Sequence, residues 1–191
     1  MKVKRLPVPS GIKGTCFHLG DHICHFYFGI EHLLTKIIPF VKFGIENNEK
    51  CVLLLSLEAK ENFETFIGNG VREAHVKDAL KIIEQSIFKE VLLLGSKKEI
   101  ERIFALEVEE AVGSGYNAIR IVMQMETIIK ERGYERVYFL ESIINEIIKD
   151  LPLIILCEYP FRPEITAPFM LLEKLHTILL GNVDSFGRST V

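Results

Sequence analysis

The sequence predicts an α/β fold, a three-layer sandwich in which helices cover both faces of a mainly parallel central sheet. Two observations lead to this prediction. The first is a strand, a helix and a strand in succession within residues 22–57, the unit that builds parallel sheets. The second is that apolar runs of strand length continue to alternate with segments of helical period over the rest of the chain.

The opening unit is recognised by a change of period. Residues 22–28 form a short run of bulky side chains between Gly20 and Gly29, which is typical of a buried strand. Apolar residues then recur at helical spacing, at Ile30, Leu33, Leu34, Ile37, Ile38, Val41 and Ile45. Residues 51–57 form a second apolar run that is too short for another helix. The helix between the two runs therefore predicts a crossover between parallel strands.

The later elements follow from the same two periods. We predict strands at 118–123 and 153–158, and the second should be central because it is apolar on both faces. Ser96 and Glu99 have the spacing of a capping box at the start of a helix. Helices are predicted at 58–67, 96–112, 126–132, 137–149 and, after Pro168, over a segment that carries Leu171, Leu172, Leu175, Ile178 and Leu179. Residues 71–94 fit both a helix and a strand.

Composition favours one domain. The chain has 191 residues, 48% of them hydrophobic, and a mean hydropathy of +0.22, which suffices for a core on both sides of a sheet. We predict an N-terminal arm at 1–19, a domain at 20–183 and a C-terminal tail at 184–191. The net charge is −3 and basic residues are interleaved with acidic ones, so nucleic acid is not expected as a direct partner.

Neither a membrane segment nor a disulfide scaffold is predicted. No apolar run approaches the roughly 18–20 residues of a membrane-spanning helix, and the N-terminus lacks the apolar centre of a secretion signal. We therefore expect a cytoplasmic protein. The four cysteines, Cys16, Cys24, Cys51 and Cys157, are irregularly spaced and are interpreted as mostly buried free thiols.

A ligand crevice is predicted at the carboxyl ends of the strands, because these ends meet at one edge of a parallel sheet. The polar and aromatic residues expected there are Tyr27, Glu31, His32, Glu58, Gln124, Glu126, Glu158 and Tyr159. Such a crevice could hold a small polar or cationic molecule, or an organic compound held mostly by burial. The alternative is that some of the acids only stabilise helix N-termini.

The turn at 28–32 is where a nucleotide-binding protein of this layout would carry GxxxxGK[ST]. This chain has a single glycine there, Gly29, followed by bulky Ile30, the acidic Glu31 and His32. Glycines expose backbone N–H groups to phosphate and a lysine neutralises its charge, whereas a carboxylate repels it. The sequence therefore predicts that the phosphate site is absent.

Arg120 stands in an otherwise apolar strand and needs a carboxylate partner if it is buried. Glu141 or Glu126 could supply it. We favour a structural ion pair of Arg120 with Glu141, and the alternative is recognition of an anionic ligand.

Metal-binding and catalytic groups are considered and not predicted. His22, Cys24 and His25, with Cys16 and His18 nearby, are metal-capable, yet neighbouring strand residues face apart: His22 and Cys24 share one face while His25 shares the other with Tyr27. Hydrogen-bonded core histidines are the alternative. The chain contains neither GxSxG nor HExxH, and the nucleophile–base pairs left open are Cys24–His25 and Cys157–His176.

Several stretches together resemble the MEDS domain, a sensory domain of methanogens and methylotrophs also found in a dichloromethane-responsive repressor. They are HICHFYFGIEHLLTKIIPFVKFGIENNEKCVLLL, GYNAIRI with QME after it, residues 141–145, LCEY at 156–159, and His176. The resemblance implies a RecA/KaiC-like fold without a working phosphate loop, and a strand near 80–84.

In function, we predict a non-enzymatic cytoplasmic sensor that has no cofactor, and the resemblance implies what it would sense. It would detect a small molecule, proposed for the family to be hydrocarbon-derived, and signal to a regulatory protein, and homo-oligomer formation stays open. Two alternatives remain: a degenerate nucleotide-binding protein, and a metal or thiol redox switch that uses Cys24 and Cys157.

Overall fold

A computed structural model describes residues 7–9, 12, 15–67, 78–161 and 178–180 of the chain. The strands in these ranges are β1 (Pro7–Pro9), β2 (Cys16–His18), β3 (His22–Tyr27), β4 (Glu49–Leu55), β5 (Leu80–Glu84), β6 (Ala118–Gln124), β7 (Leu153–Pro160) and β8 (Ile178–Leu180). The helices are α1 (Ile30–Glu46), α2 (Leu57–Ile67), α3 (Gln85–Leu94), α4 (Lys97–Gly113) and α5 (Glu126–Ile147), followed by a 3-10 turn at Ile148–Asp150.

Over the described residues, the central sheet has six strands in the order β5-β4-β6-β7-β3-β8, and the pairings between them are parallel. Strand β7 lies between β6 and β3, so its predicted central position is confirmed. Strands β1 and β2 form a separate antiparallel pair. The carboxyl ends of β3, β6 and β7 are therefore neighbours, as a shared crevice requires.

Each face of the sheet packs against its own group of helices. Residues Ile23, Leu53 and Val122 belong to a core cluster with α1 and α2, whereas Cys24 and Ile121 belong to a second cluster with α3, α4 and α5. Consecutive strand residues alternate between the two clusters because side chains of a strand point to opposite faces. The molecule is thus a three-layer sandwich, and the fold prediction is confirmed.

Helix boundaries agree with their local signals. The hydroxyl of Ser96 accepts from the Glu99 backbone N–H, and the Ser96 backbone N–H donates to Glu99 Oε2 at 2.7 Å, so the capping box at α4 is confirmed. Helix α5 is interrupted at Gly133, where φ is +71° and ψ is −175°. The sequence predicts two helices at this place, and the structure joins them through the kink.

Two segments depart from the sequence predictions. Ile178 and Leu179, predicted as helical, form strand β8 beside β3, and residues 168–177 of that predicted helix lie outside the described residues. A short apolar run satisfies both periods, and only pairing with β3 selects the strand. In the N-terminal arm, the unpredicted pairing of β1 with β2 accompanies burial of Phe17, whose ring meets Phe40 at 5.8 Å.

The predicted pairing of Arg120 with Glu141 is wrong. Arg120 Nε donates to Glu49 Oε2, and its Nη1 donates to the Phe40 carbonyl at 3.0 Å. Arg120 faces α1, while Glu141 lies on α5 across the sheet. Strand alternation therefore separates the two. A Cβ added to Gly44 of α1 would lie 2.7 Å from Cys51 Sγ and 2.8 Å from Arg120 Cδ, so a larger residue there would force these side chains to shift.

Among the described residues, no helix combines the length and apolar character needed to cross a membrane.

Candidate functional site

A buried histidine–glutamate pair lies near the carboxyl edge on the α1 face. His25 Nδ1 is 2.6 Å from Glu158 Oε2, and both side chains are fully buried. Within the described part of the chain, His25 Nε2 and Glu158 Oε1 have no hydrogen-bond partner. Burial raises the pKa of Glu158, and the charges of His25 and Lys36 oppose that rise. The pair thus offers one unused polar atom on each residue.

Aromatic rings lead from this pair to the surface. The His25 and His32 rings are 5.0 Å apart, His32 and Phe28 5.5 Å, and Phe28 and Phe161 4.7 Å. Phe28 is 60% exposed and Phe161 44% exposed, which is unusual for large apolar side chains in contact with each other. The carboxyl edge therefore presents an apolar aromatic surface, Phe28 and Phe161, linked through His32 to a buried polar pair.

A second polar group links three strand ends. Gln124 Nε2 donates to the Tyr27 hydroxyl at 3.0 Å, and the Tyr27 hydroxyl donates to Glu126 Oε2 at 3.2 Å. Gln124 Oε1 accepts from the Ser56 backbone N–H at 2.8 Å, and Glu126 also pairs with Lys130. Burial raises the pKa of Tyr27 well above its ordinary range. These contacts tie the ends of β3, β4 and β6 together.

Three of the predicted crevice residues do not join these groups. Glu31 and Glu58 are exposed and lie in the first turns of α1 and α2, the position in which acids stabilise a helix N-terminus. Tyr159 points to the opposite face, where its hydroxyl donates to Glu141 Oε1 at 2.5 Å. Glu158 and Tyr159 are consecutive in β7, so they cannot both face α1.

The turn before α1 has the following geometry. The Phe28 backbone N–H donates to His32 Nδ1 at 3.2 Å. Gly29 is the residue before the first helical turn, has extended backbone and makes no side-chain cap. Glu31 is the acidic residue of that turn. The turn therefore combines a carboxylate with a backbone N–H that a side chain already engages.

A second buried cluster lies on the face covered by α5. His22 Nε2 is 2.8 Å from Glu141 Oε2 and 3.5 Å from Cys157 Sγ, and all three residues are fully buried. Cys24 is opposite Cys157 in the β3–β7 register and faces the same core cluster. Burial raises the pKa of the Cys24 and Cys157 thiols well above ordinary, and the Glu141 carboxylate raises both further.

Sequence reasoning places His22 and Cys24 on one face and His25 on the other, and the structure agrees. It misses Glu141 and Cys157 as neighbours of His22, and His25 as the partner of Glu158. Because side chains alternate along a strand, Cys157 would be expected on the same face as His22 once β7 is known to pair with β3. No periodic signal identifies Glu141, since its position depends on how α5 crosses the sheet. His176, proposed as a base for Cys157, lies outside the described residues.

The sheet has a small apolar cavity at its carboxyl edge and a larger open depression at its amino edge. A small, partly open apolar cavity of about 10 Å³ lies beside the carboxyl ends of β4 and β6, lined by Leu54, Leu92, Met123, Gln124, Met125, Thr127 and Ile128. This volume suits about one water molecule. An open depression of about 600 Å³ lies at the opposite, amino edge, lined by Lys50, Asp78, Leu80, Lys81, Ile82, Ser114 and Tyr116.

The comparison with family models decides the family. The model described as "MEthanogen/methylotroph, DcmR Sensory domain", MEDS, matches residues 21–170. The chain belongs to the MEDS family. The matched region contains both buried clusters and the aromatic surface. Membership indicates a sensory role.

Solved structures resemble this MEDS domain in fold. One is an ATP synthase subunit, NeqB, from Nanoarcheaum equitans, with a TM-score of 0.62 and 12% identity; the match covers 94% of this chain and 51% of that chain. The MEDS chain thus spans about half the length of NeqB. Another is a KaiC-like protein from Pyrococcus horikoshii OT3, with a TM-score of 0.59, 14% identity, and coverage of 92% and 81%. A search of curated proteins found no match.

Proposed function

We propose that this MEDS domain is a non-catalytic, cytoplasmic sensor that binds a small, mainly apolar molecule carrying one polar group. The ligand would lie at the carboxyl edge, against Phe28 and Phe161, with its polar group directed toward His25 and Glu158. Its binding would be passed on to a regulatory protein. Family membership supports the sensory part of this proposal.

The observation that carries the proposal is the buried His25–Glu158 pair, in which each residue has one polar atom without a hydrogen-bond partner among the described residues. A buried polar atom without a partner costs about 1–3 kcal/mol, so a ligand that supplies a hydrogen bond recovers that free energy. A hydroxyl is suitable because it both donates and accepts. The exposed rings of Phe28 and Phe161 supply apolar contact for the remainder of the ligand.

Hydrogen bonds from Tyr27 through Gln124 and Ser56 would couple ligand binding to the start of α2. Tyr27 lies two residues after His25 on the same face of β3 and is hydrogen-bonded to Gln124, which holds the Ser56 backbone N–H. The Ser56 hydroxyl in turn accepts from the Ala59 N–H in the first turn of α2. A ligand that displaces Tyr27 would therefore change the population of conformers at the start of α2.

The test uses ligand-observed NMR with a panel of short-chain alcohols and chlorinated hydrocarbons. At least one compound should bind the wild-type chain, and Phe28→Ala should weaken that binding about tenfold, since an aromatic contact is worth about 1.5 kcal/mol. Phe139→Ala is the matched control, because Phe139 is an exposed phenylalanine on α5. Equal weakening by both variants, or no binding compound, would contradict the proposal.

Nucleotide binding is the alternative function, because the solved structures of similar fold include a KaiC-like protein. The carboxylate of Glu31 and the contact between the Phe28 N–H and His32 count against it, since a phosphate needs free donors and no negative charge. An equilibrium titration with ATP should find no saturable binding. Saturable ATP binding to the wild-type chain would favour nucleotide binding if Glu31→Lys strengthens it and Glu31→Gln leaves it measurable.

A further inference from the structure

We propose that this chain binds one divalent transition-metal ion, zinc by its ligand chemistry, through His22 Nε2, Cys157 Sγ and a Glu141 carboxylate oxygen. The site lies on the face of the sheet covered by α5, whereas the proposed ligand site lies on the α1 face. The two proposals are therefore independent.

The geometry already brings the three ligand atoms together. They all lie within 4.8 Å of one another, with His22 Nε2 2.8 Å from Glu141 Oε2 and 3.5 Å from Cys157 Sγ. Zinc binds imidazole nitrogen and carboxylate oxygen at about 2.0–2.2 Å and thiolate sulfur at about 2.3 Å. Ligand atoms around one zinc ion are then about 3–4 Å apart, close to the separations of at most 4.8 Å already present, so side-chain rotations would bring all three to one ion.

Rigid elements hold the three ligands. His22 is the first residue of β3, and Cys157 lies in the neighbouring central strand β7. Glu141 is a buried residue of α5, which packs on both strands' shared face. A metal site on strands and a helix is positioned more accurately than one on loops.

The set of ligands and their burial favour a cation. A thiol, an imidazole and a carboxylate together are the ligand types of zinc, while oxygen-only sets suit magnesium or calcium. On binding, the Cys157 S–H bond breaks, the sulfur bonds to the metal and the proton leaves to solvent, while His22 binds as neutral imidazole. The thiolate and carboxylate charges then offset the divalent ion within the core.

Neighbouring groups complete the site. Cys24, in register with Cys157 on the same face, is the candidate for a fourth ligand. The Tyr159 hydroxyl donates to Glu141 Oε1 at 2.5 Å and so orients the carboxylate, which makes Tyr159 a positioning residue. All of these residues are fully buried, so the metal should enter during folding rather than into the folded chain.

The experiment is to unfold the whole chain with chelator and refold it with Zn²⁺, with Co²⁺ or with chelator alone. We expect about one metal ion per chain, a thiolate-to-Co²⁺ charge-transfer band, and a higher unfolding temperature for the zinc form, because a metal bound only to the native state stabilises it. A refolded wild-type chain without metal, band or temperature rise would overturn the proposal.

Variants assign the ligands. The double variant Cys16→Ser and Cys51→Ser removes the exposed thiol and the buried thiol on the α1 face, and it should keep the band. Cys157→Ser and His22→Gln should lose the band, and Tyr159→Phe should weaken Co²⁺ binding about 10–100-fold. Loss of the band in the double variant, which leaves the proposed ligands intact, would show non-specific thiol binding even if Cys157→Ser fails to fold.

Discussion

Individual polar residues in the buried strands are sorted by the face on which they lie. His25, Glu158 and Arg120 face α1, and His22 and Glu141 meet on the other side of the sheet. Each is engaged by a group of complementary chemistry, as expected when charge is removed from water. The faces therefore carry separate polar clusters, and a substitution in one should leave the other intact.

The Arg120–Glu49 pair allows a stability prediction. Replacing Glu49 by Leu should lower the free energy of unfolding by about 3–5 kcal/mol, because it leaves the buried guanidinium without its carboxylate. Replacing Arg120 by Met should be similarly costly. The double variant should be less destabilised than the sum of the single variants, since no unpaired charge remains.

Urea denaturation of the four proteins measures this double-mutant cycle. Glu46→Leu is the control, since Glu46 is an exposed residue at the end of α1. Strict additivity of the two single substitutions would mean that the pair contributes no coupling free energy. Arg120 would then be held mainly by the Phe40 carbonyl and ring.

At the scale of elements, the kink of α5 depends on one backbone conformation. Gly133 has φ +71° and ψ −175°, a combination that essentially only glycine adopts. The kink separates the first two turns of α5 from the part that carries Val137, Leu140 and Glu141 into the core. The direction of the second part, and with it the position of Glu141, depends on this residue.

Gly133→Ala should therefore destabilise the fold by about 1–3 kcal/mol through backbone strain alone, because a Cβ there would have no atom within 4 Å. Gly113→Ala, at the end of α4, is the matched control: it also has open space, and its φ is not positive. Thermal unfolding of both variants tests this. A Gly133→Ala variant as stable as Gly113→Ala would mean that the kink relaxes without cost.

At the scale of the whole molecule, burial of thiols couples folding to alkaline pH. Cys51, which lies on the α1 face away from the proposed metal ligands, is fully buried, and burial raises the pKa of its thiol to about 12 from its ordinary 9.0. Above pH 9 the folded chain keeps this proton while the unfolded chain releases it. Stability is therefore fully present below about pH 9 and is lost as pH rises through the folded pKa.

The rise of the Cys51 pKa from 9.0 to about 12 corresponds to a loss of about 4 kcal/mol in the free energy of unfolding once the pH exceeds the folded pKa. Urea midpoints measured from about pH 7 to pH 10.5 should fall above pH 9, and Cys51→Ala should reduce the slope. Cys16→Ser should leave the slope unchanged because Cys16 is exposed. A flat profile in the wild-type chain would contradict the raised pKa of the Cys51 thiol.

Most of the sheet and its helices follow from the sequence, because periods of 2 and 3.6 are local properties of the chain. The strand and helix around Gly29, the capping box at Ser96 and the break at Gly133 could all be predicted in this way. The sequence predictions fail where the structure depends on contact between segments distant in the chain. Strand β8, Ile178–Leu180, is defined by its pairing with β3, and a three-residue run has no period of its own.

For this MEDS domain, the sequence by itself determined which residues enter the core and on which face of its strand each one lies. Only the tertiary structure decided the partners: Glu49 for Arg120, Glu158 for His25, and Glu141 with Cys157 for His22. The physical reason is that burial depends on the residue's own chemistry and on its position in the alternation along a strand. A contact also depends on the order of the strands and on where a helix crosses them.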